Sequence, residues 1–240
     1  MRIAVLSDIH SNLVALDAVL AHLGTVDAVW HLGDVVGYGP EPDAVVERLA
    51  GIGAVGVRGN HDAAAAGGPE IEYFNPEARQ AMEWTRARIE PVTRDWLAAL
   101  PERLIVDDAS LVHGSLRDPT WEYVTSASIA KASLDVMTTP VGLHGHTHVP
   151  MAWIKAGGRV RGAPAGTDDR LSYDARPTLL NPGSVGQPRD GDPRASYMVV
   201  DTDERVATWH RIDYDIDAVI AAMVTADLPI RLAERLRHGL

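Results

Sequence analysis

The feature that most constrains the fold is the alternation of short apolar segments with helical segments over the first 60 residues. Residues 2–6, 26–32 and 54–57 are short, apolar runs that predict buried strands. Between the first two, leucines and a valine recur at helical spacing after Asn12, a residue type that caps helices. A second helix is predicted from residue 43. This βαβαβ order predicts a parallel sheet with helical crossovers.

The middle of the chain is predicted to be helical and the last third largely antiparallel. Residues 63–68 are small and predicted to be flexible, and Asn75-Pro76 is a strong helix start. Polar loops are predicted at 170–176 and 187–194. The remaining predicted elements are helices at 76–89, 93–100 and 128–137, strands at 104–106, 110–113, 141–144, 178–180, 196–201 and 206–212, and a hairpin of 151–155 with 159–161 across Ala156-Gly157-Gly158.

Size and the absence of repeats, low-complexity tracts and linkers favour one domain over residues 1–240. A chain of this length buries about 70% of its unfolded surface, which is ample for one core. The helical insert at about 63–101 is a candidate lid, and the tail at about 215–240 is predicted to be helical. The sequence does not determine the oligomeric state.

Composition excludes several functional classes. The chain has 22 basic and 33 acidic residues and a net charge of −11, which opposes sequence-general nucleic-acid binding. It has no cysteine, so disulfides, thiolate metal sites and cysteine nucleophiles are excluded, and a cytoplasmic location is favoured. The apolar run at the N-terminus is too short for a signal peptide. The longest apolar run, 218–224, is far below the roughly 18 residues of a membrane span, so no membrane partner is expected.

Five polar motifs follow predicted strands. They are Asp8-Ile9-His10, Gly33-Asp34, Gly59-Asn60-His61-Asp62, His113 and Gly145-His146-Thr147-His148. Ligands of open α/β sheets bind at the carboxyl ends of the strands. Oxygen and nitrogen donors suit Mn, Fe, Zn, Co or Ni. By chance, Gly-His-x-His is expected about 0.04 times in such a chain and Gly-Asn-His-acid about 0.002 times. Together the motifs therefore indicate a metal site.

The order SDIHSN, GDVVGYGP, GNHD, HG and GHTH resembles the calcineurin-like metallophosphoesterases. The closer resemblance is to the small bacterial and archaeal phosphodiesterases of the YfcE type. The segment at 181–197, NPGSVGQPRDGDPRASY, also resembles that branch. The resemblance covers residues 1 to about 201, and Ser11 stands where many members have glycine. It implies a four-layer α/β/β/α sandwich, whereas the residues alone predict only an α/β fold with a mixed, two-part sheet.

The resemblance also implies a centre of two divalent or trivalent transition-metal ions, with Mn, Fe, Zn, Co and Ni all open. Asp8, His10 and His148 would hold one ion. Asn60, His113 and His146 would hold the other. Asp34 would bridge them, with His61 beside the centre. The implied reaction is hydrolysis of a small phosphoester by a hydroxide between the metals. His61 would stabilise the developing charge or protonate the leaving oxygen.

Phosphodiesters are the expected substrates because of Tyr38. It stands where Ser/Thr phosphatases and symmetrical tetraphosphatases typically carry an arginine, which would grip a monoester dianion. Tyr38 would offer an aromatic ring and a hydroxyl to the second ester group. The alternative is that Tyr38 only packs within its loop. Arg189 is a candidate phosphate ligand from another loop, with a solvated position as the alternative.

Two other functions stay open. One is a phosphoprotein phosphatase or dinucleoside tetraphosphatase of the same superfamily. The other is a non-catalytic protein-binding scaffold, because the retromer subunit vacuolar sorting protein 29 resembles this branch. Its branch has altered site residues, whereas the metal-ligand positions and His61 are intact here, which favours an enzyme.

Other polar residues are interpreted structurally. Packed or solvated roles are predicted for His22, His31, His210 and His238, and His144 is assigned to the core or to a position behind the ligands. Asp62 is predicted to cap a helix, with orientation of His61 as the alternative. Trp84 and Trp96 are predicted to form the core of the helical insert.

Overall fold

The computed structural model describes residues 1–173 and 176–240. Its strands are β1 (Arg2–Leu6), β2 (Ala28–His31), β3 (Val55–Gly56), β4 (Arg103–Val106), β5 (Ala109–Val112), β6 (Val141–Leu143), β7 (Met151–Ala156), β8 (Arg159–Pro164), β9 (Arg170–Ser172), β10 (Thr178–Asn181), β11 (Ala195–Asp201) and β12 (Val206–Ile212). Its helices are α1 (Leu13–His22), α2 (Pro42–Gly51), α3 (Asn60–Ala65), α4 (Pro76–Arg88), α5 (Pro91–Ala99), α6 (Ala127–Val136), α7 (Ile216–Thr225) and α8 (Ile230–Glu234), with 3₁₀ turns at Pro69–Tyr73 and Arg235–His238.

The first sheet contains the predicted βαβαβ unit. Its order is β3-β2-β1-β11-β12-β9. Strands β1, β2 and β3 are parallel, and Leu6, His31 and Gly56 lie side by side in register. The three strands therefore end at one edge, where the chain continues into Asp8, Asp34 and Asn60. The prediction of a parallel unit is confirmed.

The second sheet has the order β4-β5-β6-β10-β7-β8. Its central strands β5, β6 and β10 are parallel, and Leu143 pairs with Leu111 on one side and Leu180 on the other. The flanking pairs, including the predicted hairpin β7–β8, are antiparallel. The last third is therefore mixed rather than wholly antiparallel, since β10 joins β6 in parallel.

The two sheets pack face to face between helical layers. Alternation along β1 turns Ile3 and Val5 into a core shared by both sheets, where Trp209 is fully buried. Ala4 and Leu6 point the other way, into a core with α1, α2, α4, α7 and α8. On the far side, α6 covers the second sheet. The architecture is the expected four-layer α/β/β/α sandwich.

The helical insert packs on the outer layer of the first sheet. Ala78, Ala81 and Met82 of α4 are buried in that core. Trp84 is partly buried against it and donates a hydrogen bond from Nε1 to the Ala226 carbonyl at 2.7 Å. Trp96 also packs there and stacks on His31 at 5.6 Å between ring centroids. The assignment of both tryptophans to the core of the insert agrees with this packing, whereas movement of the insert as a lid stays a prediction.

Two local predictions are wrong. Ala63, Ala64 and Ala65 are not flexible, because they continue α3 and are buried. Residues 170–172 do not form a loop, because β9 pairs with β12 at the sheet edge. Residues 174–175 of that predicted loop lie outside the described residues.

In the described ranges no helix has the length and apolarity to cross a membrane.

Candidate metal centre and its cavity

The strand ends bring predicted ligands from both sheets together. Asp8, His10 and His148 form one group of possible ligands, and their ligand atoms lie within 4.8 Å of one another. The His148 Nε2 is 3.2 Å from Asp8 Oδ1 and 3.2 Å from His10 Nε2. All three residues are buried. They come from the ends of β1 and β6, so the site exists only where the two sheets meet.

A second group consists of Asp34, His113 and His146. The His113 Nε2 lies 3.3 Å from Asp34 Oδ2 and 3.0 Å from His146 Nδ1. The same Asp34 Oδ2 is 3.7 Å from His10 Nε2, in the first group. Asp34 thus lies between the two groups. Asp34 also belongs to a third possible group with His10 and His61.

Backbone carbonyls orient three of the imidazoles. The Nδ1 atoms of His10, His113 and His148 lie 3.2, 2.8 and 2.5 Å from the carbonyls of Val36, Leu32 and Gln187. A ring that donates Nδ1–H to a carbonyl presents its other nitrogen, Nε2, as a lone pair. Each of these Nε2 atoms faces the cluster.

Several buried polar atoms of the cluster lack hydrogen-bond partners within residues 1–173 and 176–240. They are Asp8 Oδ1, Asn60 Oδ1, His61 Nδ1 and His146 Nε2. Buried polar atoms are normally paired, and an unpaired one is costly. The Nε2 atoms of His10 and His148 also face each other at 3.2 Å. These nitrogens and the unpaired oxygen and nitrogen atoms fit divalent transition-metal ions as ligands.

The electrostatics of the cluster suit a cation. Burial opposes ionisation of Asp34, but the nearby His113 and His61 hold the pKa of its carboxyl well below the usual range. Burial also opposes protonation of His113, yet the Asp34 carboxylate raises its pKa to about 9. Burial lowers the pKa values of His10 and His146 well below normal, so these rings are neutral. A bound metal would take over the positive charge beside Asp34 from the His113 proton.

Glycines let the site's loops approach closely. A Cβ on Gly59 would lie 2.1 Å from Asp34 Oδ1, and one on Gly37 would lie 2.3 Å from His61 Nδ1. Gly37 also has φ +93°, which L side chains rarely adopt. Ser11, where a glycine is common in the resembling family, accepts a hydrogen bond from the Gly37 amide at 3.0 Å. The serine therefore helps to hold the loop that follows Asp34.

Asp62 holds two loops of the site together. Its carboxylate accepts hydrogen bonds from the amides of Val35, Val36 and Gly59 at 2.8, 3.1 and 3.0 Å. The last bond caps α3, as predicted. The other two fix the segment after Asp34, a role that the sequence does not reveal because the partners are 26 and 27 residues away.

The 181–187 segment supports the ligands from behind. Ser184 donates from Oγ to the Asp8 carbonyl at 2.8 Å, and Asn181 donates from Nδ2 to the Gly145 carbonyl at 2.8 Å. His144 is fully buried, and its Nδ1 lies 3.4 Å from the same amide nitrogen, which agrees with its assignment behind the ligands. Asn181 thus shapes the loop that carries His146 and His148.

A cavity of about 630 Å³ opens over the cluster. The predicted site residues Asp34, Asn60, His61, His146 and His148 line it. His113 and Asp8 lie beneath and are fully buried.

Tyr38 and Arg189 also line the cavity. The Arg189 guanidinium carbon is 5.8 Å from the centre of the Tyr38 ring. Arg189 also donates to Gln187 Oε1 at 2.8 Å. Both side chains therefore border the cavity, Tyr38 as a buried residue and Arg189 as a half-buried loop residue, and their contacts with a substrate stay predictions.

The aromatic lining of this cavity was not predicted from the sequence. Tyr73, Phe74, Trp121 and Tyr123 all line it. The signal that could have found them is their occurrence as two aromatic pairs in polar segments without helical or strand periodicity.

Histidines predicted to be packed or solvated lie away from the cluster. The Nδ1 of His22 is 2.7 Å from the Tyr197 hydroxyl, and His210 stacks on the same ring at 5.0 Å between centroids. His31 is fully buried in β2, and His238 is exposed.

The chain is similar to proteins of one family. The model of the calcineurin-like phosphoesterase superfamily domain matches residues 1–205. The crystal structure of a metallophosphoesterase from Sphaerobacter thermophilus is 42% identical, with 100% of both chains covered and a TM-score of 0.93. The uncharacterized protein MJ0912 of Methanocaldococcus jannaschii is 34% identical, covering 99% of this chain and 98% of that protein. The hypothetical protein PH1004 of Pyrococcus horikoshii has the same fold, with a TM-score of 0.82. It is 21% identical, covering 100% of this chain and 98% of that chain.

The family implies divalent metal ions and hydrolysis of phosphoesters, and the two ligand groups around Asp34 are compatible with both. The motifs that suggested this family all lie within the matched residues. The chain therefore belongs to the calcineurin-like phosphoesterase superfamily.

Proposed function

We propose that the chain hydrolyses small phosphoesters at a dinuclear metal centre and prefers phosphodiesters. The observation that carries this is the shared Asp34, whose Oδ2 lies 3.7 Å from His10 Nε2 and 3.3 Å from His113 Nε2. One carboxylate lies between two sets of imidazoles that are either neutral or carry a proton that a metal can displace. This arrangement is suited to two cations side by side. The cavity above supplies room for a small substrate.

In this proposal Asp8, His10 and His148 hold one metal, and Asn60, His113 and His146 hold the other. Bound metals would supply positive charge to the phosphoryl oxygens and a water activated as the nucleophile. Asn60 contributes a neutral oxygen, so it adds no negative charge to oppose the substrate. The carbonyls that accept from the Nδ1 atoms of His10, His113 and His148 fix the tautomers needed for these roles.

His61 is positioned to act on the substrate. Its ring stacks on Phe74 at 4.5 Å between centroids and contacts Tyr38 at 4.4 Å, while its amide donates to Asp34 Oδ1 at 2.9 Å. The ring is thereby held at the cavity wall beside the shared carboxylate. From there it would donate a hydrogen bond to a phosphoryl oxygen or a proton to the leaving oxygen.

The charge of the cavity supports a diester. Apart from the metal-ligand candidates, its lining contains one cation, Arg189, and one anion, Asp118, among the residues that the structure describes. Arg189 shares its hydrogen bonds with Gln187, and Tyr38 occupies the position where a second guanidinium would be expected. A monoester dianion needs more compensation than this, because an unpaired buried charge is costly. A monoanionic diester matches the lining better.

The test compares bis-p-nitrophenyl phosphate with p-nitrophenyl phosphate across a panel of Mn, Fe, Zn, Co and Ni. We expect metal-dependent turnover and a higher kcat/KM for the diester. Tyr38→Arg should shift the preference toward the monoester, and Tyr38→Phe, which keeps the ring without adding charge, should not.

A clear monoester preference in the wild type contradicts the diester proposal. Metal bound in full amount without turnover of either ester contradicts the enzyme proposal and favours the scaffold.

A further inference from the structure

We propose that the substrate is a small nucleoside phosphodiester whose base packs against Tyr73 and Trp121, stacked on one ring and in contact with the edge of the other. This inference rests on the proposed phosphodiesterase function and names its substrate class. It starts from the four rings of the cavity, here called the aromatic wall: Tyr73, Phe74, Trp121 and Tyr123.

The aromatic wall is continuous with the reaction centre. Phe74 stacks on His61, and the Trp121 ring stands edge-on to Phe74 with centroids 6.0 Å apart. Tyr73 extends the wall outward, edge-on to Trp121 at 5.6 Å. The rings therefore lead from His61, beside the shared carboxylate, out to the exposed Tyr73.

The outer rings are not explained by the hydrophobic core. Tyr73 is 74% exposed and Tyr123 is 45% exposed, although both are large and apolar. Tyr123 stacks on His146 at 3.8 Å between ring centroids. Exposed aromatic surface around a cavity gains most when a flat apolar group covers it. The wall thus fits a planar ring attached to the phosphate.

Polar groups beside the wall fit a nucleoside better than a simple aryl group. Asp118 lines the cavity, and its Oδ1 accepts from the Trp121 backbone amide at 3.1 Å, which fixes the carboxylate beside the backbone that carries the indole. A carboxylate there can accept hydrogen bonds from sugar hydroxyls or an exocyclic amine. Across the cavity, Arg189 can pair with the single charge of a diester.

The same features limit the length of the ligand. A cavity of about 630 Å³ is in the size range of small-molecule sites, and its lining includes Arg189 as the one described cation outside the metal-ligand candidates. Long nucleic-acid strands need a track of positive charge along the backbone. The net charge of −11 opposes such a track. The geometry therefore points to one or two nucleosides, as in a cyclic nucleotide or a dinucleotide.

The experiment uses two diesters with the same leaving group on the metal-loaded enzyme. One is the p-nitrophenyl ester of thymidine 5′-monophosphate and the other is methyl p-nitrophenyl phosphate. Base stacking on an aromatic side chain corresponds to about 5- to 150-fold, so we expect kcat/KM to be at least about 5-fold higher for the nucleoside ester. Tyr73→Ala and Trp121→Ala should each reduce this ratio several-fold, and Tyr73→Phe and Trp121→Phe should retain it. Both kcat/KM values are measured on the same enzyme preparation. A change in its folding or metal loading therefore affects both values and cancels in their ratio.

A binding measurement gives a readout other than turnover. Equilibrium dialysis with adenosine 5′-monophosphate should show weaker binding to both alanine variants than to the phenylalanine variants. Equal kcat/KM values for the two esters, with ratios unchanged in the alanine variants, overturn the nucleoside proposal while leaving phosphodiester hydrolysis intact. Failure to hydrolyse either ester overturns the proposed function instead.

Discussion

Seven residues of the site adopt left-handed backbone conformations with φ between 50° and 67°. They are Asp8, His10, Ser11, Asp34, Tyr38, His146 and His148. For residues other than glycine this conformation is strained, at about 1–3 kcal/mol each. Such strain persists only where the surrounding structure enforces it, and here it turns five predicted metal ligands toward one point. Backbone strain is therefore present at the residues that carry the predicted metal ligands.

Asp34→Asn should disrupt binding at both metal positions. A neutral amide cannot balance two dications, and its NH₂ group cannot coordinate a metal. Elemental analysis of the purified variant should find less than half of the wild-type metal content. Asp203→Asn, at an exposed carboxylate, is the matched control and should keep full content. Full metal content in Asp34→Asn would exclude the bridging role.

His61→Ala should retain metal and lose about 10²- to 10⁴-fold in turnover, the usual range for a general acid or base. The distinction matters because His61 also forms a possible ligand group with His10 and Asp34, whose ligand atoms lie within 4.8 Å of one another. Metal content and kcat are measured on the same preparation. Loss of metal would make His61 a ligand, and unchanged turnover would make it a bystander.

At the scale of elements, α3 begins inside the site and depends on Asp62. Its carboxylate is fully buried and accepts from three backbone amides, two of them in the loop after Asp34. The sequence predicts the cap from the position of Asp62 near a helix start. It does not predict the two long-range bonds, because nothing local indicates which loop the helix start meets.

Asp62→Ala should lower the free energy of unfolding by about 3 kcal/mol or more, because three buried amides lose their hydrogen-bond acceptor. It should also reduce metal content, since the segments after Asp34 and before Asn60 lose their common anchor. Asp215→Ala is the control: Asp215 caps α7 through one exposed bond to the Ala218 amide, so about 1 kcal/mol and no metal should be lost. Urea denaturation and elemental analysis measure both effects. Equal destabilisation with full metal content in both variants would contradict the anchoring role.

The elements of the chain were predictable where periodicity is strong and missed where tertiary contacts decide. The spacing of apolar residues is sufficient to predict α1, and Asn75-Pro76 correctly marks the start of α4. In contrast, β9 is a polar strand, Arg170–Ser172, that exists because it pairs with the edge of β12. Ala63 to Ala65 have no pattern of their own and are helical because α3 packs into the core.

For the whole molecule, the motifs predict which residues meet but not what surrounds them. Asp8 and His148 come from different sheets, and their proximity follows from the family resemblance rather than from local sequence. The aromatic wall joins Tyr73 and Trp121 across 48 residues of sequence, so no local pattern could assemble it. The family model covers the superfamily as a whole, so the narrower likeness to the YfcE-type branch stays a prediction.

Whole-molecule stability should depend on pH because neutral histidines are buried. The clearest case away from the ligands is His31, which is fully buried on β2, stacks on Trp96, and has neither ring nitrogen hydrogen-bonded within the described ranges. Burial lowers its pKa to about 4, against about 6.5 in an unfolded chain. As pH falls below 6.5 the unfolded chain binds this proton first, so the folded state loses stability until pH 4.

The expected size of the His31 effect is about 2 kcal/mol at pH 5, since one pKa unit corresponds to about 1.4 kcal/mol. Urea denaturation of chelator-treated protein at pH 7.5 and 5 measures it without a contribution from metal release. His31→Phe keeps a ring against Trp96 and should lose about 2 kcal/mol less than the wild type between these pH values. Any packing change at position 31 is common to both pH values and cancels in this difference. His238→Phe, at an exposed position, should lose as much as the wild type. Acid-titrating groups elsewhere contribute equally to both proteins and also cancel. The same loss in His31→Phe as in the wild type would therefore show that His31 is already protonated in the folded state at pH 5, which contradicts the prediction.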